Sequence, residues 1–379
     1  MMSEEDKLGF LCHFDVLEDP RIDRKKLYPL TEVLFVVICA SICGAQSWRD
    51  FVTFGEEKLD YLRRFLPFEN GIPSKNTYAR VFSILNPDEF KKCFTSWIQS
   101  FQQALGNLIA IDGKTLRKSF DKANQQSAIH MVSAFASASK LVLGQQKVDD
   151  KSNEITAIPK LLELLSLEGM IVSIDAMGTQ KEIANQIIDK KADYVLALKG
   201  NHSTLHNDVR LFLEAEVGKT NSSKITDCYE EVDKGHGRVE HRICYVSDKI
   251  HWLEQQKQWR NLKTVIMLES RVSSGGHTAI EQRYFISSLA ANAQQIAEAI
   301  RSHWAVENSL HWILDVTLRE DDSRVRKDHA PENMAMVRHI ILNMLQNTKK
   351  KFKDMSIRRL QKKAGWGDST LDMILMAAF

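Results

Sequence analysis

Apolar positions along the chain change their period twice. From the start to about residue 105 they recur at helical spacing, and turn chemistry punctuates them. Thr31 can cap a helix over 31–43 that ends at Gly44, and a second helix begins near Ser47 and carries Trp48, Phe51, Phe54, Leu59 and Leu62. The break Glu69-Asn70-Gly71-Ile72-Pro73 is followed by Ser74, which can cap a helix bearing Tyr78, Val81 and Phe82, and Asn86-Pro87-Asp88 opens the next one. From Gly106 to about Leu198 the pattern becomes short uncharged runs, with strands expected at 108–112, 128–135, 141–144, 170–174 and 194–198. Helices are expected over 158–167 and 181–190. Residues from about 225 to 290 turn β-rich, with strands at 239–246, 264–268 and 283–286 between glycine-rich breaks.

Three strands, a helix, a strand, a helix and a strand is the order of a ribonuclease-H-like core, an inference by topological analogy. The expected fold class is therefore α/β: such a core with a β-rich insertion at about 225–290, an all-helical N-terminal domain before it and a basic helical tail after it. The corresponding domains are 1–105, 106–347 and 348–379. A small helical unit ahead of a catalytic core suits recognition of a DNA site, and Asn76, Thr77 and Arg80 are its candidates for base contact. A helical cap packed on the core is the plain alternative.

Composition narrows the class. With 379 residues, 44% of them hydrophobic and 26% charged, the chain can bury a full core and is neither disordered nor fibrous. The longest largely apolar run, 33–43, is too short to span a bilayer, and the acidic opening lacks the basic start of a signal peptide, so a cytoplasmic protein without a membrane partner is expected. Six scattered cysteines without a Cys-x-x-Cys pair predict free thiols. The net charge of +2 conceals a local bias: 349–363 holds eight basic residues against Asp354 alone, and Arg324, Arg326 and Lys327 form a smaller cluster. Solvated faces explain such runs, and so does phosphate contact.

Two of the strands stop on a carboxylate. Ile109-Ala110-Ile111-Asp112 and Val172-Ser173-Ile174-Asp175, if parallel neighbours, would deliver two acids to one sheet edge, where open α/β sheets place their chemistry. An aspartate there is most often a helix cap. Thr179-Gln180-Lys181-Glu182 reads as a capping box in its own right, which weakens that explanation for Asp175. Glu307 supplies a third acid. At roughly 100° per residue it shares a stripe with Ile296, Ile300, His303, Leu310 and Leu314, so its carboxylate is expected to be buried. A buried carboxylate needs a positive partner, either a basic side chain or a divalent cation shared with the aspartates. Hard oxygen ligands without a Cys or His cluster suit Mg²⁺ or Mn²⁺, and two such ions would serve in-line displacement at a phosphodiester. Glu320, Asp321 and Asp322 are rival acids whose consecutive spacing points them apart and predicts a solvated cluster. Lys114, Lys199, Asn201 and His202 should emerge near the aspartates and could touch phosphate, and His236 and Arg238 could face DNA from the β insertion. Plain turns and a glycine-rich hairpin are the alternatives there.

The segments Ile111-Asp112-Gly113-Lys114, Ser173 to Gln180, Leu198-Lys199-Gly200-Asn201 and His303 to Trp312 together resemble the DDE insertion-sequence transposases, in particular the H-repeat-associated subgroup, over nearly the whole chain. The resemblance implies a ribonuclease-H-like catalytic domain, with Asp112, Asp175 and Glu307 as catalytic and metal-binding carboxylates for two Mg²⁺ ions, Mn²⁺ being a substitute. It also implies cleavage of double-stranded DNA at terminal inverted repeats, strand transfer to target DNA, and a homodimer in the synaptic complex. The broader family has Tyr seven residues before the glutamate, Arg four before and Lys seven after; Ile300, His303 and Leu314 stand there in this chain. His303, Arg324 and Arg326 join the candidate DNA contacts. A nuclease without strand transfer and an inactive DNA-binding relic are the rivals, and a two-carboxylate glycosidase is the rival from another class.

Overall fold

The computed structural model describes residues 9–100, 106–120, 127–149, 152–219, 222–235, 237–275 and 277–377, save the side chain of Lys25. In chain order its elements begin with α1 (Gly9–Cys12), α2 (Leu30–Ile42), α3 (Trp48–Glu57), α4 (Leu59–Leu62), α5 (Lys75–Ile84) and α6 (Pro87–Gln99). There follow β1 (Leu108–Thr115), β2 (His130–Ala136), β3 (Leu141–Lys147), α7 (Glu154–Leu164), β4 (Ile171–Ile174), α8 (Lys181–Asp189), β5 (Asp193–Leu198) and α9 (Ser203–Val217). Then come β6 (Asp227–Gly235), β7 (Arg238–Ser247), β8 (Thr264–Ser274), β9 (His277–Ser287), α10 (Ala293–Val306), α11 (Trp312–Val316), α12 (Ala330–Lys349), α13 (Ile357–Trp366) and α14 (Asp368–Met376). These form two compact units: one from Met1–Leu105, Gly113–Lys151 and Glu307–Phe379, the other from Gly106–Asp112 and Ser152–Val306.

The first unit is built on α12. Nearly all of its 20 residues are buried, because α2, α5, α6, α13, α14 and β3 pack around it. An amphipathic surface helix hides one stripe, whereas this one is hidden on every side. Its polar residues are accordingly partnered: Asn343 closes a reciprocal pair of hydrogen bonds with the backbone of Val142, and Asn333 donates to the carbonyls of Phe82 and Leu85. Local signals set the ends of the smaller helices. Ser47 and Asp50 form a reciprocal capping box on α3, and Asn86 caps α6 with Pro87 in its first position. Thr31 does not cap: α2 starts one residue earlier, behind Pro29, which fixes the entry and leaves Thr31 inside the first turn. The helix expected to run from Ser47 past Leu62 breaks at Lys58 into α3 and α4.

The second unit is a sheet in the order β1-β4-β5-β9-β8-β7-β6. β1, β4 and β5 are parallel, and β9 joins β5 antiparallel, so the β-rich insertion lengthens this sheet as a four-stranded meander. Alternation sorts the side chains: Ile171, Val195, Val246, Ile266 and Phe285 meet Ile296, Ala299 and Ile300 of α10 in one core cluster. Among the described residues no helix is long and apolar enough to cross a membrane. Their cysteines are all free thiols.

Candidate active site

Parallel pairing of β1 with β4 ends at Ile111 opposite Ile174, so the next residue of each chain segment is an acid: Asp175 follows β4, whereas Asp112, expected to end its strand, lies within β1, which continues to Thr115. Both carboxylates are half-buried. The loop after β4 is fixed from several sides. Asp175 accepts from the Gly178 N–H at 3.1 Å, and the Thr179 hydroxyl lies 3.0 Å from the Asp175 carbonyl and 2.7 Å from that of Ala197, able to donate to either. A Cβ on Gly178 would come within 2.4 Å of Ile174 and 2.6 Å of Ile158, so the turn has room for glycine alone.

The turn after β5 closes on the same loop. Asn201 donates its amide to the Ala176 carbonyl at 2.5 Å, and the His202 ring reaches the Thr179 carbonyl at 2.6 Å through Nε2. A carbonyl only accepts, which places a proton on that nitrogen. The His202 ring also meets the edge of buried Trp259, with centroids 5.3 Å apart. Asn201 and His202 thus spend these polar groups on the backbone that carries Asp175, while Lys199 stands exposed at the same sheet edge. The expected capping box is not formed: Gln180 occupies the cap position of α8 without a side-chain bond, and Thr179 is engaged with the strand-end carbonyls. Asp175 does make a local turn bond, though not as a helix cap.

Glu307 departs from its expected burial. Ile296, Ile300, Leu310 and Leu314 are buried and His303 is half-buried, but Glu307 is exposed. The cause is a π turn, Glu307–His311, set between α10 and α11. Its i→i+5 bonds widen the helix, so a stripe drawn at uniform spacing loses phase there. The argument from a costly buried carboxylate therefore falls for this residue, although single π turns recur at functional sites. His303 Nδ1 lies 3.4 Å from the Ser173 hydroxyl on β4.

The rival acids also differ from expectation. Glu320 is only 3% exposed, because Lys114 reaches it at 3.1 Å, Asp315 at 2.7 Å and Asp321 at 3.2 Å. Arg338 stands 3.8 Å from Glu320 on its other side. Burial pushes the Asp315 carboxyl up despite the Lys114 ammonium, and burial next to Lys114 and Arg338 drops the His339 imidazole to about 3. Asp322 alone remains at the surface, paired with Lys118 and Arg319. Solvation was expected because the sequence shows three neighbouring acids but not the lysine some 200 positions away that buries one of them.

Of the remaining candidates, Arg238 and Arg324 are exposed, and Arg326 is half-buried, donating to the Lys118 carbonyl at 3.0 Å with its guanidinium 4.6 Å from the Phe120 ring centre. His236 lies outside the described residues. Asn76 and Arg80 are exposed on α5, and the Thr77 hydroxyl meets that of Ser74. Thr179 and the Lys114 cluster were not anticipated as such; the signal for Thr179 is its place directly after the constrained Gly178.

The donor set can be judged chemically. Two hard-oxygen carboxylates on adjacent strand ends suit Mg²⁺, which takes one or two protein carboxylates and fills its shell with water and phosphate oxygens. Among the described residues no group of three or more His, Cys, Asp or Glu side chains is placed to hold a metal ion.

Residues 103–344 match the family described as "Transposase DDE domain", and residues 11–98 match the one described as "DDE_Tnp_1-associated". The "Putative transposase YncI" of Escherichia coli O157:H7 is 42% identical over 346 residues, covering 90% of this chain and 88% of that one. The "H repeat-associated putative transposase YhhI" of Escherichia coli K12 is 41% identical over 371 residues, covering 96% of each. A solved piggyBac transposase synaptic complex with hairpin DNA aligns with 91% of this chain and 71% of its own at a TM-score of 0.41 and 10% identity, too distant to assign a fold.

Proposed function

Since the chain belongs to the DDE transposases, in the H-repeat-associated subgroup, we propose that Asp112, Asp175 and Glu307 are its catalytic carboxylates and that it cuts DNA at the ends of an insertion element and joins the freed 3′ ends to a target. The observation that carries this reading is the parallel pairing of β1 with β4, which ends at Ile111 and Ile174 with Asp112 and Asp175 next in sequence. A ribonuclease-H-like core accounts for the parallel β1, β4 and β5. Two Mg²⁺ ions, or Mn²⁺ in their place, would supply activation of an attacking water or 3′-hydroxyl and stabilisation of the leaving oxygen.

The chain's own residues do the rest. Asp112 and Asp175 would hold the cation's protein side, and Glu307, in a locally widened helix turn, is the third carboxylate of this reading. Thr179, Asn201 and His202 keep the Asp175 loop in one conformation, so the donor is set before substrate arrives. Lys199, His236, Arg238, His303, Arg324 and Arg326 are DNA contacts in this reading, with a homodimer holding the paired ends. Lys114, expected to touch phosphate, acts instead by organising its three carboxylates.

The test is a duplex ending in the element's own terminal repeat, incubated with the full chain and Mg²⁺. Cleaved and joined products that require both the metal and Asp112 support the proposal. Cleavage without joining selects the nuclease reading, and equal cleavage by wild type and Asp112→Asn removes the catalytic assignment.

A further inference from the structure

The cations of 350–366 differ from those of the β meander. There, Arg242 pairs with Glu231 and Glu240, Arg271 with Glu269 and Arg283 with Glu281, and Arg301 of α10 reaches Glu231 and Asp233 on β6. Around α13, Lys351, Lys353, Arg358, Arg359 and Lys362 are all exposed, and none has an ion pair among the described residues. The nearby acids of α14 are already engaged: Asp368 holds Lys58 at 2.8 Å, and Asp372 accepts from the Tyr61 hydroxyl at 2.8 Å and from Arg64 at 3.1 Å.

The helix itself is firmly seated. Ile357, Leu360 and Ala364 are buried, and α13 packs against α14, α12 and α2. The Ser356 hydroxyl caps the first turn, Gln361 donates to the Ser41 carbonyl at 3.0 Å, and a Cβ on Gly365 would sit 3.3 Å from the Cys43 carbonyl. On the outward side, Arg358, Lys362 and Trp366 follow at intervals of four residues, with Trp366 81% exposed. Such spacing stacks them along one stripe, each about 6 Å further along the axis.

We propose that this outward face of α13, with Lys351 and Lys353 before it, is a binding surface for the phosphate backbone of duplex DNA, sequence-independent and separate from the carboxylate site. Like charges clustered with Asp354 as the one acid among them cost free energy until a polyanion arrives, and DNA returns that cost by releasing its condensed counterions. The Trp366 indole adds an apolar surface beside the cations for the face of a backbone sugar. An anionic membrane surface would also attract these charges. A basic helix binds membrane by inserting its apolar face, however, and that face of α13 is already buried in the protein. The partner's identity as DNA rests on the proposed function; the unpaired charge does not.

The experiment is a salt titration of binding to a duplex of arbitrary sequence, using the full chain, the triple variant Arg358→Gln/Arg359→Gln/Lys362→Gln, and Trp366→Ala. Thermal unfolding verifies that each variant is folded. The triple variant should lose about tenfold or more in affinity near 0.1 M salt, and its log–log salt slope should shrink by about 2 to 3, near 0.9 for each phosphate no longer neutralised. Trp366→Ala should weaken binding by about threefold with the slope retained, as expected for lost apolar contact that neutralises no phosphate. A folded triple variant with the wild-type slope overturns the proposal, as does retained DNA binding together with lost binding to phosphatidylserine vesicles. Asp112→Asn should bind with the wild-type slope, so failure of the catalytic assignment shows in cleavage and failure of this surface in the slope.

Discussion

Two groups of acids stand in this protein in opposite electrostatic situations. Asp175 follows a buried strand, is half-buried, and takes a backbone N–H from Gly178. Asp315, Glu320 and Asp321 are gathered by the Lys114 ammonium, with Arg338 behind Glu320. An amide N–H orients a carboxylate without cancelling its charge, whereas a lysine at ion-pair distance supplies the opposite charge itself. The first arrangement keeps a carboxylate able to take a cation; the second consumes that ability to fasten the 315–321 segment to Lys114 near the end of β1. Proximity of acids to one another is therefore a poor guide to chemistry, and what each acid already holds is a better one.

The contrast can be broken most sharply by neutralising one member of each group. Asp175→Asn should reduce DNA cleavage about a thousandfold, near 4 kcal/mol of barrier, with little change in unfolding free energy. Single-turnover cleavage beside a denaturant curve measures both. Lys114→Met should do the reverse in stability, costing about 3 kcal/mol because it leaves buried Glu320 with only the more distant Arg338. A smaller loss in Lys114→Arg would identify charge as the cause.

Acid titration sharpens the same comparison. The folded protein holds His339 near 3 against an ordinary 6.5, so its neutral form is favoured by folding. Its contribution to stability is complete above about 6.5 and is lost as the pH falls from there toward 3. Asp315 works in opposition: its raised carboxyl favours protonation in the folded state, a gain that grows as acid is added. His339→Gln should flatten the decline in unfolding free energy below pH 6.5, and an unaltered decline would move its origin to other groups. The smallest effect belongs to Thr179→Val, which removes the donor between the Asp175 and Ala197 carbonyls. A stability loss of about 1 kcal/mol should accompany a cleavage loss of about tenfold, as for groups that orient a metal ligand.

The strands carrying the uncharged runs before Asp112 and Asp175 were legible because such runs reflect a local rule, burial on both sheet faces, but only β4 stops at its acid, while β1 continues past Asp112 to Thr115. β6 was not legible. Its sequence Asp227-Cys228-Tyr229-Glu230-Glu231-Val232-Asp233-Lys234-Gly235 is that of an exposed edge strand whose charges are matched across the sheet, as where Glu231 meets Arg242. Glu307 was misplaced because a repeating angle cannot register a single widened turn. Glu320 was misplaced because its cation arrives from distant sequence. The basic character of 349–363 was plain, but that Ile357, Leu360 and Ala364 would seat one side of α13 in a core depends on α2 and α12, which periodicity alone does not supply.

The most direct measurement of the central claim is a Mn²⁺ titration of the full chain with terminal-repeat duplex present, comparing wild type, Asp175→Asn and Asp315→Asn. Wild type and Asp315→Asn should bind the ion alike while Asp175→Asn loses at least about tenfold in affinity. Equal binding by wild type and Asp175→Asn, or a loss confined to Asp315→Asn, would contradict it.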